Sequence, residues 1–447
     1  MTIELPKKVN TIIETISTAG HEAYVVGGCV RDSLLGRTPD DWDITTSAKP
    51  EEIKNLFRHT IDTGIEHGTV TVMLEKEGFE VTTYRIDGEY EDCRHPKEVM
   101  FTDKLTEDLR RRDFTINAMA YNNNRGLIDI FGGKEDLEKG IIRCVGDARE
   151  RFTEDALRVL RAIRFSAQLG YSIEERTKEA IEELASSLKN ISAERIQVEL
   201  IKILLSPHPD YFRIAYDTGV TKVFFPEWDK AMETPQNHPH HCFNVGEHIL
   251  HSLREVPPDK VLRLTMLLHD IAKPDVMEID DKGITHFHGH AKAGEIMSRD
   301  ILKRLRMDND TINKVSRLVL YHDYGKGIMP DKKIVRRAIN KVGEDIFPSL
   351  LLVKRADILA QSEYKREEKL EKLENWKNCY REICKNKECV SLKTLAVNGK
   401  DLIEAGMEPG KKLGEVLEKL LQEVLENPSR NTREYLLSRV FKSTSDA

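Results

Sequence analysis

The sequence lacks any long apolar stretch. No apolar run approaches the ~20 residues that a membrane-spanning helix requires, and no basic-then-apolar leader stands at the N-terminus. It also lacks a disulfide framework, because its seven cysteines are scattered and odd in number. Cys379, Cys384 and Cys389 form a cluster whose spacing matches no common zinc pattern. We therefore expect a cytoplasmic protein with no membrane partner.

An excess of positive charge is also missing. The formal net charge is −7, from 69 basic and 76 acidic side chains, which argues weakly against a nucleic-acid partner. Basic residues do concentrate locally, in Arg110-Arg111-Arg112 and in the arginines from Arg149 to Arg164, and a local basic face suffices to hold phosphates. The length of 447 residues and the 32% charged content predict several domains in a helix-rich protein.

The stretch from Val25 to Thr46 organises the rest of the chain. It predicts a short apolar strand, a Gly27-Gly28 turn, a short helix that Gly36 ends, and a second strand that begins at Asp41. Alternation along that strand places Asp41 and Asp43 on one face, where paired carboxylates suit Mg²⁺. The glycines allow close approach to a phosphate, which Arg31 is placed to pair with. The combination indicates phosphoryl or nucleotidyl transfer, although either feature alone also occurs as an ordinary turn or a solvated face.

The fuller pattern G-G-x-V-R-D-x-L-L-G-x-x-x-x-D-x-D is more specific. It resembles the nucleotidyltransferase fold of the DNA polymerase β superfamily. Within that superfamily it is similar to the bacterial tRNA nucleotidyltransferases and their poly(A) polymerase relatives. The resemblance implies that Gly28, Arg31 and Arg112 hold a nucleotide and that Asp41 and Asp43 are catalytic.

A hairpin is predicted next. The segments Gly68 to Leu74 and Phe79 to Tyr84 are expected to be strands joined by a turn at Lys76-Glu77-Gly78. Glu80, on the second strand, is a candidate third carboxylate for a two-metal site, or else a polar residue of the strand face. The polar stretch from Ile86 to Phe101 predicts a flexible loop beside the site.

Three further elements are expected before the helical remainder. Thr106 to Tyr121 is predicted as a helix that carries Arg111-Arg112-Asp113 near its start, and R-R-D-F-T-x-N-A resembles a family motif for ribose and phosphates. The segments Leu127 to Phe131 and Ile141 to Val145 are expected to pair as closing strands. Thr153 is predicted to cap the next helix.

That next helix is expected to begin at Glu154. At ~100° per residue, Asp155, Arg158 and Arg161 form one polar sector, while Arg164 falls toward the apolar side and is expected to be structural or partnered. The sequence EDALRVLRAIRF is the second match to the tRNA nucleotidyltransferases. The resemblance implies that Asp155 and Arg158 read the base of CTP or ATP and that Arg161 and Arg164 support the pocket. A carboxylate accepts from the amino group of C or A, which selects against U and G.

Histidines are concentrated in one segment. Ten of the fifteen lie between His238 and His322. His248, the pair His269-Asp270 and Asp357 follow one another in the order H…HD…D. This order resembles the HD phosphohydrolase superfamily and implies a metal site at these four side chains. His290 and His322 occupy positions where two-metal members carry extra ligands. Imidazole and carboxylate ligands suit Mn²⁺, Ni²⁺, Fe²⁺ or Zn²⁺; the alternative is an HD fold kept as a helical spacer.

The C-terminal part is charged and then helical. Leu395 to Leu437 resembles the module beside HD domains in tRNA nucleotidyltransferases. Gly410-Lys411-Lys412-Leu413-Gly414 is predicted to open a helix whose N–H groups and lysines hold an RNA phosphate, or equally to form a solvated capping loop.

The sequence thus predicts an α+β head followed by all-α regions. The expected domains are a nucleotidyltransferase head (1–150), a helical neck (151–230), an HD domain (231–365) and a C-terminal tRNA-binding region (366–447). The resemblance implies CCA addition to tRNA from CTP and ATP by a two-metal mechanism with Mg²⁺, the acceptor stem and elbow held by the helical regions, and no protein partner.

Three other activities stay open: addition of A alone, poly(A) synthesis, and metal-dependent hydrolysis of phosphates, including cyclic ones. Asp92 and Arg94 in the predicted loop resemble residues of enzymes that can add the final A. They argue against an enzyme that adds only C-C.

Overall fold

The structure, a computed structural model, describes residues 2–88 and 99–444. It divides into two compact units, Met1–Pro226 and Glu227–Ala447. The four domains expected from the sequence stay a prediction, since this division bears on only one of their boundaries.

A mixed sheet forms the centre of the first unit. Its strands and those of the smaller ladders are β1 Ala23–Val26, β2 Ile44–Thr46, β3 Thr60–Gly64, β4 Thr69–Leu74, β5 Glu77–Thr83, β6 Arg85–Asp87, β7 Val99–Phe101, β8 Met119–Asn122, β9 Gly126–Asp129, β10 Ile141–Ile142 and β11 Ser172–Ile173. Seven of them pair in the order β3-β4-β5-β2-β1-β8-β9. Only the β2–β5 pairing of this sheet is parallel. The predicted α+β head with a mixed sheet is confirmed.

Helices cover this sheet and continue beyond it. Those of the first unit are α1 Lys7–Thr18, α2 Gly28–Leu34, α3 Pro50–Leu56, α4 Leu105–Arg110, α5 Gly133–Lys139, α6 Ala148–Glu154, α7 Leu157–Leu169, α8 Glu175–Leu184, α9 Ala193–Leu204, α10 Arg213–Asp217 and α11 Thr221–Phe224. The amphipathic first helix buries residues at helical spacing, namely Val9, Ile12, Ile13 and Ile16.

The β4–β5 hairpin turns earlier than predicted. Leu74 pairs with Glu77, so the turn consists of Glu75 and Lys76, which both have positive φ (50° and 70°). Gly78 lies inside β5 instead, where an added Cβ would stand 2.9 Å from the Thr71 Cγ2. The prediction failed because glycine was assigned to the turn, whereas close cross-strand packing requires it here.

The stretch expected to be a loop begins and ends in a ladder. β6 and β7 pair antiparallel, from Arg85 opposite Phe101 to Asp87 opposite Val99. Asp92 and Arg94, singled out in the sequence, lie outside the described residues.

The predicted helix from Thr106 to Tyr121 is wrong beyond its first turns. Helix α4 ends at Arg110, a 3₁₀ turn covers Thr115–Asn117, and β8 follows. The Asp113 carboxylate accepts the N–H of Phe114 (2.8 Å), which competes with helical hydrogen bonding. The apolar run then enters the sheet between β1 and β9, where all four residues of β8 are buried.

Two other local predictions are also corrected. The segments from Leu127 and Ile141 do not pair, because β9 pairs with β8, β10 pairs with β11, and α5 lies between them in the chain. Thr153 is not a cap: its hydroxyl donates to the Arg149 carbonyl within α6. Helix α6 is capped by Asp147, whose carboxylate accepts the N–H of Arg149 (2.8 Å).

The second unit is predominantly helical. Its helices are α12 Pro226–Glu233, α13 Val245–Arg254, α14 Lys260–Leu268, α15 His290–Arg304, α16 Asn309–Tyr321, α17 Lys332–Val342, α18 Phe347–Ala360, α19 Arg366–Lys385, α20 Gly399–Glu404, α21 Lys411–Glu426 and α22 Arg433–Thr444. A short hairpin of β12 Glu278–Ile279 and β13 Thr285–His286 was not predicted. As expected, a helix begins after Gly410.

Two apolar clusters hold this unit together. One joins α17 and α18 to α19 through residues that include Phe347, Leu350, Leu373 and Trp376. The other lies around α21 and α22. Within residues 2–88 and 99–444, every helix is too short or too polar to cross a membrane.

Candidate functional sites

The paired aspartates stand just before a strand. β2 begins at Ile44, so the prediction that the strand starts at Asp41 is wrong by three residues. The Asp43 carbonyl nevertheless accepts the Val26 N–H (3.0 Å), which holds this segment against β1. Asp41 and Asp43 are both exposed and Ile44 is buried, so the alternation between exposed and buried side chains that is typical of a strand begins before β2.

Glu80 lies on the strand beside the aspartates. β2 and β5 are parallel, with Ile44 opposite Val81, so the same register continued one residue back brings Asp43 beside Glu80. Neighbours in register share a sheet face. Glu80 is exposed, as the aspartates are. Desolvation and the nearby Asp41 charge raise the pKa of Asp43, and Arg112 opposes this. These carboxylates therefore form an anionic patch that a cation would stabilise.

The two glycines bring the backbone against an arginine. Gly27 has φ 84° and precedes α2, and an added Cβ would lie 2.9 Å from the Arg112 Nη1. Gly28 begins α2, which carries Arg31 three residues later. Only glycine combines this φ with such a close approach.

A buried carboxylate holds the arginines after α4. Asp108 is fully buried and pairs with Arg111 (2.8 Å) and, at 3.6 Å, with Arg112. Burial alone raises the pKa of Asp108, but the two guanidinium groups hold it below its ordinary value. Asp108 was not predicted from the sequence as a site residue, although its i,i+3 and i,i+4 spacing to two arginines was a usable signal.

A chain of polar contacts links the two predicted motifs. Arg31 donates through Nη1 to the Asn117 Oδ1 (2.7 Å), and the Asn117 amide donates to the Asp113 Oδ1 (3.1 Å). Asp113 is buried and accepts from the Arg161 Nε (2.8 Å). Burial raises the pKa of Asp113, but Arg161 and the hydrogen bonds outweigh it and lower that pKa. Asp113 and Asn117 both belong to the R-R-D-F-T-x-N-A motif, but neither was given a role of its own from the sequence.

Three guanidinium groups lie close to the aromatic ring of Phe165. The guanidinium carbons of Arg31, Arg161 and Arg164 lie 5.2, 5.6 and 4.1 Å from the Phe165 ring centroid. Arg164 is buried and pairs with Glu199 at 3.2 Å, and burial lowers the pKa of Arg164 to about 10. This agrees with the expectation that Arg164 is partnered.

The two residues expected to read a base have partners elsewhere. Asp155 lies between α6 and α7, where it pairs with Arg195 (3.1 Å) and accepts the Leu157 N–H (3.1 Å). Arg158 donates to the Glu154 carboxylate (2.6 Å) and to the Arg111 carbonyl (2.8 Å). The structure therefore joins Arg158 to the arginine segment after α4, but it does not pair Asp155 with Arg158.

In the second unit, four predicted ligands converge. The Nε2 of His248 lies 3.2 Å from the Nε2 of His269, 3.4 Å from the Asp270 Oδ2 and 3.0 Å from the Asp357 Oδ1. All four residues are buried. They come from α13, from the residues that follow α14, and from α18. We call this group the first cluster; it could hold a metal ion.

A second cluster shares one aspartate with the first. The Nε2 atoms of His290 and His322 are 3.1 Å apart, and they lie 3.5 and 3.6 Å from the Asp270 Oδ1. Asp270 thus offers one oxygen to each cluster. The Lys273 ammonium, 2.6 Å from the Asp270 Oδ2, keeps the pKa of Asp270 well below the ordinary value although burial raises it.

The imidazoles are oriented as metal-binding histidines are. Each Nδ1 faces a backbone carbonyl oxygen, at 3.3 Å for His248, 2.8 Å for His269 and His290, and 2.7 Å for His322. An Nδ1–H that donates to a carbonyl leaves the Nε2 lone pair free. Lone pairs about 3 Å apart repel one another unless a cation lies between them. The geometry therefore fits divalent metal ions; it does not distinguish among them.

Comparison with known families places this architecture in a class. Residues 23–143 match the Poly A polymerase head domain. Two further family models, for an RNA- and SrmB-binding site of polymerase A and for a tRNA nucleotidyltransferase domain, match residues 170–232 and 278–440. The chain thus resembles proteins of the poly(A) polymerase and tRNA nucleotidyltransferase class.

Within that class the relatives are more particular. A CCA-adding enzyme of Pediococcus pentosaceus is 36% identical over 97% of this chain and 97% of its own length. That of Lactiplantibacillus plantarum is 54% identical over 198 residues, so the aligned part of this chain spans about half the length of that relative. The crystal structure of the Bacillus stearothermophilus CCA-adding enzyme in complex with CTP is 28% identical, with a TM-score of 0.70 over 98% of this chain and 96% of that one. The chain belongs to the CCA-adding enzyme family.

Proposed function

We propose that the protein adds the sequence CCA to the 3′ end of tRNA, with CTP and ATP as substrates and without a nucleic-acid template. One observation carries the proposal. The exposed Asp41 and Asp43 lie just before β2, which pairs in parallel with the strand that carries Glu80, and Arg112 is close enough to act on the Asp43 carboxylate. The chain that holds them aligns with a CCA-adding enzyme over 97% of its length.

A divalent cation fits the head site. Two exposed carboxylates and a third on the neighbouring strand leave negative charge that no described lysine or arginine neutralises by an ion pair. Oxygen ligands of this kind favour Mg²⁺, and Asp41 and Asp43 would hold it. When bound, it supplies a lowered pKa for the attacking hydroxyl and charge stabilisation for the leaving oxygen.

The reaction would be an in-line displacement. The 3′-hydroxyl oxygen of the RNA forms a bond to the α-phosphorus of CTP or ATP, the bond from that phosphorus to the bridging oxygen breaks, and pyrophosphate leaves. The hydroxyl proton passes to a base, for which Glu80 is the candidate on the same face.

The arginine network would hold the nucleotide. Gly28 and Arg31 approach its phosphates with Arg112, while Arg161 and Arg164 support the pocket from α7. The neighbouring Asp32 carboxylate accepts from the Arg31 Nε and Nη2 (3.0 and 2.8 Å). That contact gives Arg31 a defined orientation, with its remaining nitrogen directed toward Asn117.

Base selection would use Asp155 and Arg158. A carboxylate accepts the exocyclic amino group of C or A, and a guanidinium donates to ring acceptors. Both side chains have protein partners here, so a bound base would have to replace Arg195 at Asp155 and Glu154 at Arg158. The helical regions would hold the tRNA acceptor stem and elbow through phosphate and shape contacts, with the Lys411-Lys412 pair as one contact.

The direct test is nucleotide incorporation into tRNA with Mg²⁺. Wild-type protein is expected to incorporate labelled CTP and ATP, and Asp43→Asn is expected to reduce incorporation by at least about 10³-fold because it removes a metal ligand. Asp62→Asn, which alters an exposed aspartate of the same unit, serves as the control. Equal activity of Asp43→Asn and wild type would refute the assignment.

A second activity is favoured by the clusters in the second unit. We infer that His248, His269, Asp270 and Asp357, with His290 and His322, hold one or two transition-metal ions, for which Mn²⁺, Ni²⁺, Fe²⁺ and Zn²⁺ are candidates. Four Nε2 atoms that converge around a shared carboxylate support this. The reaction would be hydrolysis of a phosphate ester: the oxygen of water bonds to phosphorus, the ester P–O bond breaks, and the alcohol leaves with a proton.

This activity separates cleanly from nucleotide transfer. Hydrolysis of p-nitrophenyl phosphate is expected to persist in Asp41→Ala and to disappear in His269→Ala, while CTP incorporation shows the opposite pattern. Hydrolysis that persists in His269→Ala would show that another site is responsible.

A further inference from the structure

A cavity of about 230 Å³ opens beside the two histidine clusters. We call it the lysine cavity. Its lining includes Lys326, Lys354, Lys369, His322, Asp357 and Trp376. One of these, His322, belongs to the second cluster, and another, Asp357, belongs to the first. A molecule in this cavity would therefore be in reach of both candidate metal positions.

Lys354 places a cation in this cavity. It projects from α18 one turn before Asp357 and is half-buried. Over residues 2–88 and 99–444, no side chain or carbonyl forms a hydrogen bond or ion pair with its ammonium group. Asp323 and Asp357 act on this ammonium electrostatically but do not pair with it. A half-buried ammonium without a direct anionic partner is costly, and an anionic ligand would supply that partner.

Two further lysines face the same space. The Lys369 ammonium donates to the Gln361 Oε1 (2.7 Å), and the Gln361 amide donates to the Asp357 Oδ1 (3.0 Å), so this lysine is tied to the first cluster. Lys326 lies 3.2 Å from Asp323. The three lysines lie on α18, on α19 and in the turn after α16, and the fold brings their ammonium groups to one cavity.

An apolar wall completes the cavity. Trp376 of α19 packs against the turn that carries Lys326, since a Cβ on Gly325 (φ 70°) would stand 2.7 Å from the indole Cζ2. Trp376 and the buried Leu373 belong to the apolar cluster of α17, α18 and α19. The volume lies below the roughly 300–1,000 Å³ of drug-sized ligand pockets, which suits a small ligand.

We propose that the lysine cavity binds a small phosphate ester, with its phosphoryl group between Lys354, Lys369 and the cluster residues His322 and Asp357, and with its carbon part against Trp376. Lys354 and Lys369, neither of which pairs with a carboxylate among the described residues, offer two ammonium groups that suit the double negative charge of a phosphate monoester. This inference rests on the proposed hydrolase activity and assigns the site of its substrate. It also makes α19 a part of that site, although the sequence analysis placed this helix in the C-terminal region.

The test is calorimetric titration of inorganic phosphate into the full chain loaded with Mn²⁺. We expect Lys354→Gln and Lys369→Gln each to weaken phosphate binding by at least about 10-fold, the loss of one charge-assisted hydrogen bond. Lys303→Gln, at an exposed position of α15, is expected to bind as wild type does. Metal content and thermal unfolding of each variant confirm that the clusters and the fold are retained.

Phosphate binding that is absent in wild type, or unchanged in both cavity variants, overturns the proposal. Hydrolysis of p-nitrophenyl phosphate, measured on the same variants, distinguishes phosphate binding in the lysine cavity from the proposed hydrolase activity. Phosphate binding that depends on Lys354 but is accompanied by no turnover supports the cavity and refutes hydrolysis. Turnover with an unchanged KM in both cavity variants supports hydrolysis and overturns the cavity.

Discussion

Asp113 is the residue whose replacement tests the arginine network most sharply. Its buried carboxylate accepts from Arg161, from the Phe114 N–H and from Asn117, which in turn accepts from Arg31. Asp113→Asn keeps the size and one acceptor but removes the charge opposite Arg161. The perturbation therefore leaves a partly buried guanidinium without its anion.

The expected loss of stability follows from these contacts. Breaking a buried pair costs ~3–5 kcal/mol, and the Arg161 side chain is 33% exposed. We therefore expect the free energy of unfolding to fall by about 2 to 3 kcal/mol. For a unit of this size, that lowers Tm by roughly 4 to 12 °C.

The pH dependence of the stability contributed by Asp113 gives a second test. The pKa of Asp113 in the folded state lies below its unfolded value of ~3.9. Its stabilising contribution is therefore complete above about pH 5 and is lost as pH falls through the folded pKa. The Tm difference between wild type and Asp113→Asn should be constant from about pH 5 to 8 and shrink at about pH 3.

The assay is thermal unfolding of the full chain followed by circular dichroism, with CTP incorporation measured alongside. Incorporation should fall about tenfold, because Arg31 and Arg161 lose their shared anchor; a tenfold effect corresponds to ~1.4 kcal/mol. Asp62→Asn is the control, since Asp62 pairs with Lys54 on the surface and should contribute less than about 1 kcal/mol. A Tm shift no larger than that control, or one that persists unchanged at the acid end of the range, would refute the reasoning.

Three other changes have definite expected outcomes. Gly27→Ala places a Cβ 2.9 Å from the Arg112 Nη1 and should reduce CTP incorporation severalfold. Its control, Gly36→Ala, has φ 69° and nothing within 4 Å of the added Cβ, so it should cost only the ~1–2 kcal/mol of stability of a left-handed residue. Unfolding and CTP incorporation are measured for both variants, and equal losses of incorporation would contradict a role for Gly27 beside Arg112. Lys76→Gly removes a residue with φ 70° and should raise the free energy of unfolding by ~1 kcal/mol, measured by urea denaturation; no gain would show that the turn is unstrained. Asp270→Ala removes an oxygen from both clusters and should lower the metal content of the purified protein at both positions, measured by mass spectrometry; loss of one ion only would show that Asp270 is not shared.

Local patterns predicted the start of the head well. The apolar strand, the glycine turn and α2 lie where their residue types indicated, because each depends on neighbours in sequence. The strand expected from Asp41 begins at Ile44, since its sheet partners β1 and β5 decide where pairing begins. The apolar run after Asp113 was assigned to a helix for a related reason: its periodicity does not reveal that β8 lies between β1 and β9.

Contacts between residues far apart in the chain limited how much of the candidate sites could be predicted from the sequence. The order of His and Asp residues sufficed to predict both clusters of the second unit as candidate ligands. Asn117 stands in the R-R-D-F-T-x-N-A motif, but its contact with Arg31, 86 residues away, could not be predicted. Lys354 could not be selected either, because a lysine on a mixed helix has no distinguishing pattern until α19 closes the cavity beside it.

The most direct test of the central claim is stepwise addition to three tRNA substrates, ending at the discriminator base, at C and at C-C, with Mg²⁺ and labelled CTP and ATP. The account predicts that each substrate is completed to CCA, that addition then stops, and that Asp41→Ala abolishes every step. Addition of A to the C-C ending alone would make this an A-adding enzyme, and untemplated runs of A would make it a poly(A) polymerase. Either of these results, or no incorporation at all, would contradict the account.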